Sequence, residues 1–185
     1  GKFMVQGRDA EAVMNRICAN NVAVESGKLV YTAWLNERGG IEADLTVTRL
    51  REDAYLIVTA GASQTRDLAW LRRKLPGDAN AVVTDVTSGY AVLSVMGPNA
   101  RRLLSEVTSA DLSNEAFPFG TGKEIEIGYA SALALRVTYV GELGWELYIP
   151  TEFAQDIFDR LIAAGTGHDL KLAGMHALNS LRLEK

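Results

Sequence analysis

Apolar residues recur at helical spacing in five stretches of the chain. Ala10, Val13, Met14, Ile17 and Cys18 would share one helix face, with Asp9 as the N-cap. Leu68, Leu71 and Leu75 mark a second helix, begun near Ser63 and ended by Pro76-Gly77. Ala100, Leu103, Leu104 and Val107 mark a third, opened by Pro98. Phe153, Ile157, Phe158, Leu161 and Ile162 predict a fourth, capped by Thr151 and closed by Gly165, and a last helix runs from about Gly174 onward. Between them lie strand-like runs at residues 30–35, 45–50, 54–60, 90–95, 133–140 and 145–149. Turns are explicit at Glu37-Arg-Gly-Gly40 and Gly141-Glu-Leu-Gly144.

The elements repeat. Val5-Gln-Gly-Arg-Asp-Ala10 before one helix resembles Val95-Met-Gly-Pro-Asn-Ala100 before another, ninety residues on. In each half a glycine turn, a strand and a helix then follow, the turns being Gly39-Gly40 and the segment from Gly141 to Gly144. The pattern predicts an α+β fold of duplicated, mostly antiparallel units, with halves at residues 1–80 and 81–185. The join, near Pro76 to Asp85, is too short and too apolar for a free linker, so the halves are expected to pack together.

Composition narrows the function classes. An apolar fraction of 48% is that of a packed protein, and a net charge of −4 argues against nucleic acid as the main partner. Cys18 is the one cysteine, which excludes an intramolecular disulfide and a thiolate metal site and fits a reducing, cytoplasmic setting. No apolar run approaches the roughly 18–20 residues that span a bilayer, and no signal-peptide pattern opens the chain. The first residues lead straight into Phe3-Met-Val5, and Leu181-Arg-Leu-Glu-Lys185 stops inside a helical pattern, so the chain reads as part of a longer polypeptide.

The common catalytic signatures are absent: no G-x-G-x-x-G for a dinucleotide, no phosphate-binding P-loop and no G-x-S-x-G nucleophile elbow. His168 and His176 lack a metal-ligand context and read as a surface-loop residue and a helical residue. Two acidic features remain. Asp44 stands where the Gly39-Gly40 turn enters an alternating strand, a place from which a carboxylate could accept N–H bonds from a ligand or simply cap a turn. The second is Tyr139-Val-Gly-Glu-Leu-Gly-Trp-Glu146, whose hairpin could bring an aromatic ring and a carboxylate together. Such a pair suits a flat, N–H-rich ligand, while an ordinary hairpin with Trp145 over the core fits the same residues.

Three motifs, in order, carry a resemblance. Residues 31–50 (Tyr31-Thr-Ala-Trp-Leu-Asn-Glu-Arg-Gly-Gly-Ile-Glu-Ala-Asp-Leu-Thr-Val-Thr-Arg-Leu50), Tyr139-Val-Gly-Glu-Leu-Gly-Trp-Glu-Leu147 and Gly174-Met-His-Ala-Leu-Asn-Ser-Leu-Arg-Leu-Glu-Lys185 resemble the folate-binding region of the aminomethyltransferase family. That family includes the glycine-cleavage T-protein and the C-terminal regions of dimethylglycine and sarcosine dehydrogenases. The resemblance implies a cloverleaf of α+β domains around a folate cavity, with a barrel-like domain downstream that this chain lacks. It implies tetrahydrofolate as cofactor, an amine or iminium as one-carbon donor and 5,10-methylenetetrahydrofolate as product. It also implies roles for residues. Asp44 would lie near the attacking folate nitrogen as the catalytic carboxylate, Tyr139 and Glu146 would hold the pterin, and Tyr31 would line the cavity. No metal is implied.

Departures point to a branch. T-proteins carry two adjacent aspartates where this chain has Ala43-Asp44, and Ala-Arg-Asp where it has Ala177-Leu-Asn179. The wording Gly-Glu-Leu-Gly-Trp-Glu is similar to the dimethylglycine/sarcosine dehydrogenase branch, in which a separate flavin domain or subunit oxidises the amine. FAD would therefore belong to an upstream domain. The expected function is a folate-dependent one-carbon transferase module. The alternative is a non-catalytic folate-binding, regulatory or interaction domain on the same scaffold.

Overall fold

The computed structural model describes residues 1–185 and divides them into two compact units, Gly1–Ser88 and Gly89–Lys185. Each unit opens with the same device. A short strand, β1 (Lys2–Gln6) in the first and β6 (Tyr90–Met96) in the second, runs through a glycine into a helix, α1 (Ala10–Ile17) or α3 (Ala100–Leu104). The glycines, Gly7 at φ +139° and Gly97 at φ +131°, hold a backbone conformation that side-chain-bearing residues rarely adopt. Each glycine carbonyl accepts the first helical N–H, from Ala10 or Ala100, at 3.0 Å. Each glycine N–H donates to the residue just before the strand that pairs with β1 or β6, to Asp53 O at 2.9 Å and Leu143 O at 2.8 Å.

The remaining elements keep in step. The first unit continues with β2 (Leu29–Leu35), β3 (Ile41–Arg51), β4 (Ala54–Thr59), α2 (Gln64–Lys74) and β5 (Val82–Asp85), and its sheet is ordered β2-β3-β4-β1-β5. The second continues with β7 (Gly122–Ile127), β8 (Ala130–Leu135), β9 (Gly144–Pro150) and α4 (Ala154–Gly165), in the order β6-β9-β8-β7. Every ladder is antiparallel. The opening strand in each case pairs with the fourth strand of its unit, and both α2 and α4 follow a single 3₁₀ turn. The duplicated antiparallel α+β architecture is therefore present. Helix α5 (Met175–Leu183) ends the chain, and no helix is long and apolar enough to cross a membrane.

Several details differ from the sequence pattern. The topological counterpart of the Gly39-Gly40 turn, which joins β2 to β3, is the Gly128-Tyr129 turn joining β7 to β8. The segment 136–143, which joins β8 to β9, stands instead where Glu52-Asp53 stands in the first unit. Strand β8 stops at Leu135, because its ladder with β9 runs only from Leu133↔Tyr148 to Leu135↔Glu146. Strand β5 pairs with β1, so the last residues of the segment read as a join, Val82–Asp85, belong to the first sheet. Asp9 does sit at the N-cap of α1, yet its carboxylate accepts from the Asn80 N–H at 2.8 Å and caps no helical N–H. The 3₁₀ turn Thr151–Phe153 separates Thr151 from the start of α4. His168 is no simple surface residue either: its imidazole Nε2 bonds the Glu106 carboxylate.

Helices cover one face of each sheet. In the first unit Phe3, Val5, Trp34, Leu45, Val47 and Ile57 pack with Ala10 and Met14 of α1 and Trp70 and Leu71 of α2. The rings of Trp34 and Trp70 stack at 4.8 Å and 10°. In the second unit Trp145, Leu147 and Ile149 pack with Leu103, Leu104, Ile157 and Leu161. Burying each Val, Leu, Ile, Phe or Met chain among these contributes about 1.5–3 kcal/mol. Because strand side chains alternate, the opposite faces carry the residues between these.

Candidate functional site

Asp44 lies on the helix-free face of the first sheet. Its strand neighbours Ala43 and Leu45 are buried in the core, so period-two alternation turns Asp44 outward, where it is exposed. Register brings Tyr31 beside it: Tyr31 pairs with Thr46 and Ala33 with Asp44, which makes Tyr31 and Asp44 diagonal neighbours on one face. The Asp44 carboxylate beside it holds the Tyr31 phenol above its ordinary pKa. Tyr31 is 63% exposed, so the pair is wet and contributes little to stability. Strand β2 is an edge strand, and residues 18–20 run along it. Cys18 bridges Trp34, the Ala19 N–H donates to Ala33 O at 2.9 Å, and the Asn20 N–H donates to the Thr32 hydroxyl at 2.9 Å. On β3, the Arg66 guanidinium of α2 donates to Glu42 O at 2.6 Å, two residues from Asp44. Sequence position placed Asp44 at a turn; it sits inside the strand, as a presented carboxylate.

Glu146 and Tyr139 lie in the second unit and have separate partners. Glu146 is in β9, half-buried, facing Ser94 of β6 and Leu135 of β8 across the ladders. The Tyr148 hydroxyl donates to Glu146 Oε2 at 2.8 Å, while Glu146 Oε1 accepts no bond. Burial raises the Glu146 carboxyl above the usual carboxylate range, and the bond from Tyr148 pulls it partly back. The same burial, with the carboxylate beside it, pushes the Tyr148 phenol strongly up, so it remains a donor.

Tyr139 ends no strand. It stands in the bend between β8 and β9, where Arg182 of α5 donates to its hydroxyl at 2.8 Å and places its guanidinium 5.3 Å from the ring centroid. The aromatic face of Tyr139 is thus met by a cation in this structure. Trp145 is not an aromatic partner of Glu146. Adjacent strand residues point to opposite sides, and Trp145 is fully buried on the helix side, with Arg101 and Arg136 at 5.8 and 5.6 Å from its ring. The reading of Trp145 as a core residue is the correct one. Tyr148 and Arg182 escaped the sequence reading. For Tyr148 a signal existed, since a residue two beyond Glu146 in a strand shares its face; for Arg182 none did.

The geometry thus presents two local constellations, an exposed Tyr31–Asp44 pair and a half-buried Glu146–Tyr148 pair, on a duplicated antiparallel scaffold. Comparison with known proteins agrees with that scaffold. The chain is 46% identical over its whole length to 4-methylaminobutanoate oxidase (formaldehyde-forming) of Paenarthrobacter nicotinovorans and 36% identical to mitochondrial dimethylglycine dehydrogenase of Rattus norvegicus. It spans 22% of the length of each of these relatives. Among solved structures, the glycine cleavage system aminomethyltransferase T from Bartonella henselae superposes with a TM-score of 0.85 at 27% identity, covering 99% of this chain and 48% of that one. Residues 1–185 match the GCVT N-terminal domain throughout, and the chain belongs to that family.

Proposed function

We propose that this chain is the tetrahydrofolate-binding, one-carbon-transfer module of a longer amine oxidase or dehydrogenase. Its relatives include an oxidase, dehydrogenases, a pyruvate dehydrogenase phosphatase regulatory subunit and an aminomethyltransferase, and it spans about a fifth of the length of the first three kinds. In this reading the oxidation of an N-methylated amine takes place at a flavin held by another domain or subunit. The observation that carries the reading is Glu146, a half-buried carboxylate with one oxygen bound by Tyr148 and the other without a partner. An isolated acceptor of that kind fits the N–H-rich edge of a pterin, which is flat and apolar on its faces.

When bound, the reduced folate supplies the nucleophilic nitrogens that accept the one-carbon unit, and it leaves as 5,10-methylenetetrahydrofolate. The chain's own residues do the rest. Glu146 accepts ring N–H bonds and fixes orientation. Tyr139, 40% exposed, offers an aromatic ring to stack on. Asp44, exposed on its strand beside Tyr31, is a carboxylate suited to take a proton from a nucleophilic nitrogen and to stabilise positive charge on a carbon donor.

Anaerobic calorimetric titration of the full-length polypeptide with tetrahydrofolate tests this. Saturable binding should weaken at least about tenfold in Glu146→Gln, the loss of a charged hydrogen bond. Asp44→Asn should keep binding and lower the yield of 5,10-methylenetetrahydrofolate by roughly 10²–10⁴-fold. No saturable binding to the wild-type protein would sink the reading.

A further inference from the structure

The internal duplication provides a control that bears on Glu146. Gly7 and Gly97 are equivalent, so β4 and β9 align through their pairing with β1 and β6. Gln6↔Ala54 matches Met96↔Gly144, Met4↔Leu56 matches Ser94↔Glu146, and Lys2↔Val58 matches Val92↔Tyr148. The two helix-free positions that hold Glu146 and Tyr148 in the second unit hold Leu56 and Val58 in the first. The scaffold therefore accepts apolar residues at both places, and a carboxylate half-buried in a sheet is destabilising unless it is hydrogen-bonded. The second unit carries the carboxylate and its donor together.

Tyr148 is 1% exposed, and its ring alone would fill its place as well as phenylalanine's. What the hydroxyl adds is one bond, to Glu146 Oε2 at 2.8 Å. Tyr55, on the matching strand, is a buried tyrosine whose hydroxyl meets no protein partner. The groups around Glu146 are otherwise neutral at close range. Ser94 and Leu135 flank it across the ladders; Tyr90 shares its face four residues away, opposite Pro150. Glu124 and Glu126 share the face from β7, two strands off and exposed, and Arg101 and Arg136 lie over Trp145 on the other side.

We propose that Tyr148 is a positioning residue for the pterin-binding carboxylate: its hydroxyl occupies Glu146 Oε2, keeps the carboxylate ionised and leaves Oε1 as the acceptor for the ligand. This rests on the reading that Glu146 binds the pterin edge. The sign follows from the bond. Removing a donor from the ionised form raises the Glu146 pKa further, so the ionised, binding-competent state is reached only at higher pH.

The test is tetrahydrofolate affinity of the full-length polypeptide as a function of pH across the Glu146 carboxyl titration, for wild type, Tyr148→Phe and Glu146→Gln. A ¹³C-carboxyl NMR titration of Glu146 in the ligand-free protein accompanies it and needs no binding. Wild-type affinity should rise through the Glu146 pKa. Tyr148→Phe should move that midpoint, and the NMR pKa, upward by about one unit, so that affinity falls about tenfold below it and converges with wild type above it. Glu146→Gln should bind weakly and without that pH dependence. If Glu146→Gln weakens binding while Tyr148→Phe leaves both midpoints in place, Tyr148 is a packing residue and the inference fails alone. If Glu146→Gln binds as wild type does, the assignment of Glu146 fails and this inference with it.

Discussion

Adjacent residues in a strand can have opposite fates, and Trp145 and Glu146 show it. The indole enters the core while the carboxylate faces away from the helices, one half-buried group beside one fully buried one. Sequence made both candidates; only alternation together with the side the helices take separates them. Asp44 stood out as a carboxylate where a glycine turn enters an alternating strand, whereas its neighbour Tyr31 depends on strand register. At Cys18, burial pushes the thiol up to about 11, so little thiolate exists at neutral pH. Cys18 should therefore resist a thiol-directed reagent at about pH 8, where an ordinary thiol near 8.5 reacts, and label fully in denaturant. Peptide mass spectrometry of the labelled protein would read this out, and rapid native labelling would contradict it.

At the scale of elements, the strand–glycine–helix openings were legible as a repeat because they combine an apolar run, a glycine and a helical period. Their equivalence does not extend to tolerance of substitution. A Cβ at Gly7 would lie 2.2 Å from Asn80 O, a backbone atom, whereas one at Gly97 meets nothing within 4 Å. Both positions have positive φ, so each alanine pays a conformational penalty of about 1–3 kcal/mol. Gly7→Ala adds a backbone clash and should destabilise clearly more than Gly97→Ala, as urea unfolding of the two variants would show. Equal losses would mean that the 78–81 segment yields freely. Strand β1 was read only as an apolar run, and β5 and β7 were missed. β5 is short and mostly exposed, and the Lys123-Glu-Ile-Glu-Ile127 alternation lies beside a long loop, so neither stands out before its partner strand is known.

On the scale of the whole molecule, each unit has its own apolar core and its own sheet. A ligand that binds only the folded state stabilises it in proportion to RT ln(1 + [L]/Kd), about 2.7 kcal/mol at a hundred times Kd. Tetrahydrofolate at that excess should raise the melting temperature of the full-length polypeptide, and the increment should shrink in Glu146→Gln. An increment unchanged by the substitution would place folate stabilisation elsewhere in the protein.

By itself the sequence determined the α+β character, the duplication and the chemical types available, since period, glycine and carboxylate are local properties of the chain. The tertiary structure decided which face of each sheet the helices cover, that β8 stops at Leu135, and which groups meet: Tyr31 with Asp44, Tyr148 with Glu146, Arg182 with Tyr139. The reason is physical. Alternation defines two faces without saying which is buried, and the bonds at these carboxylates and rings arise from register and packing, which bring distant segments together.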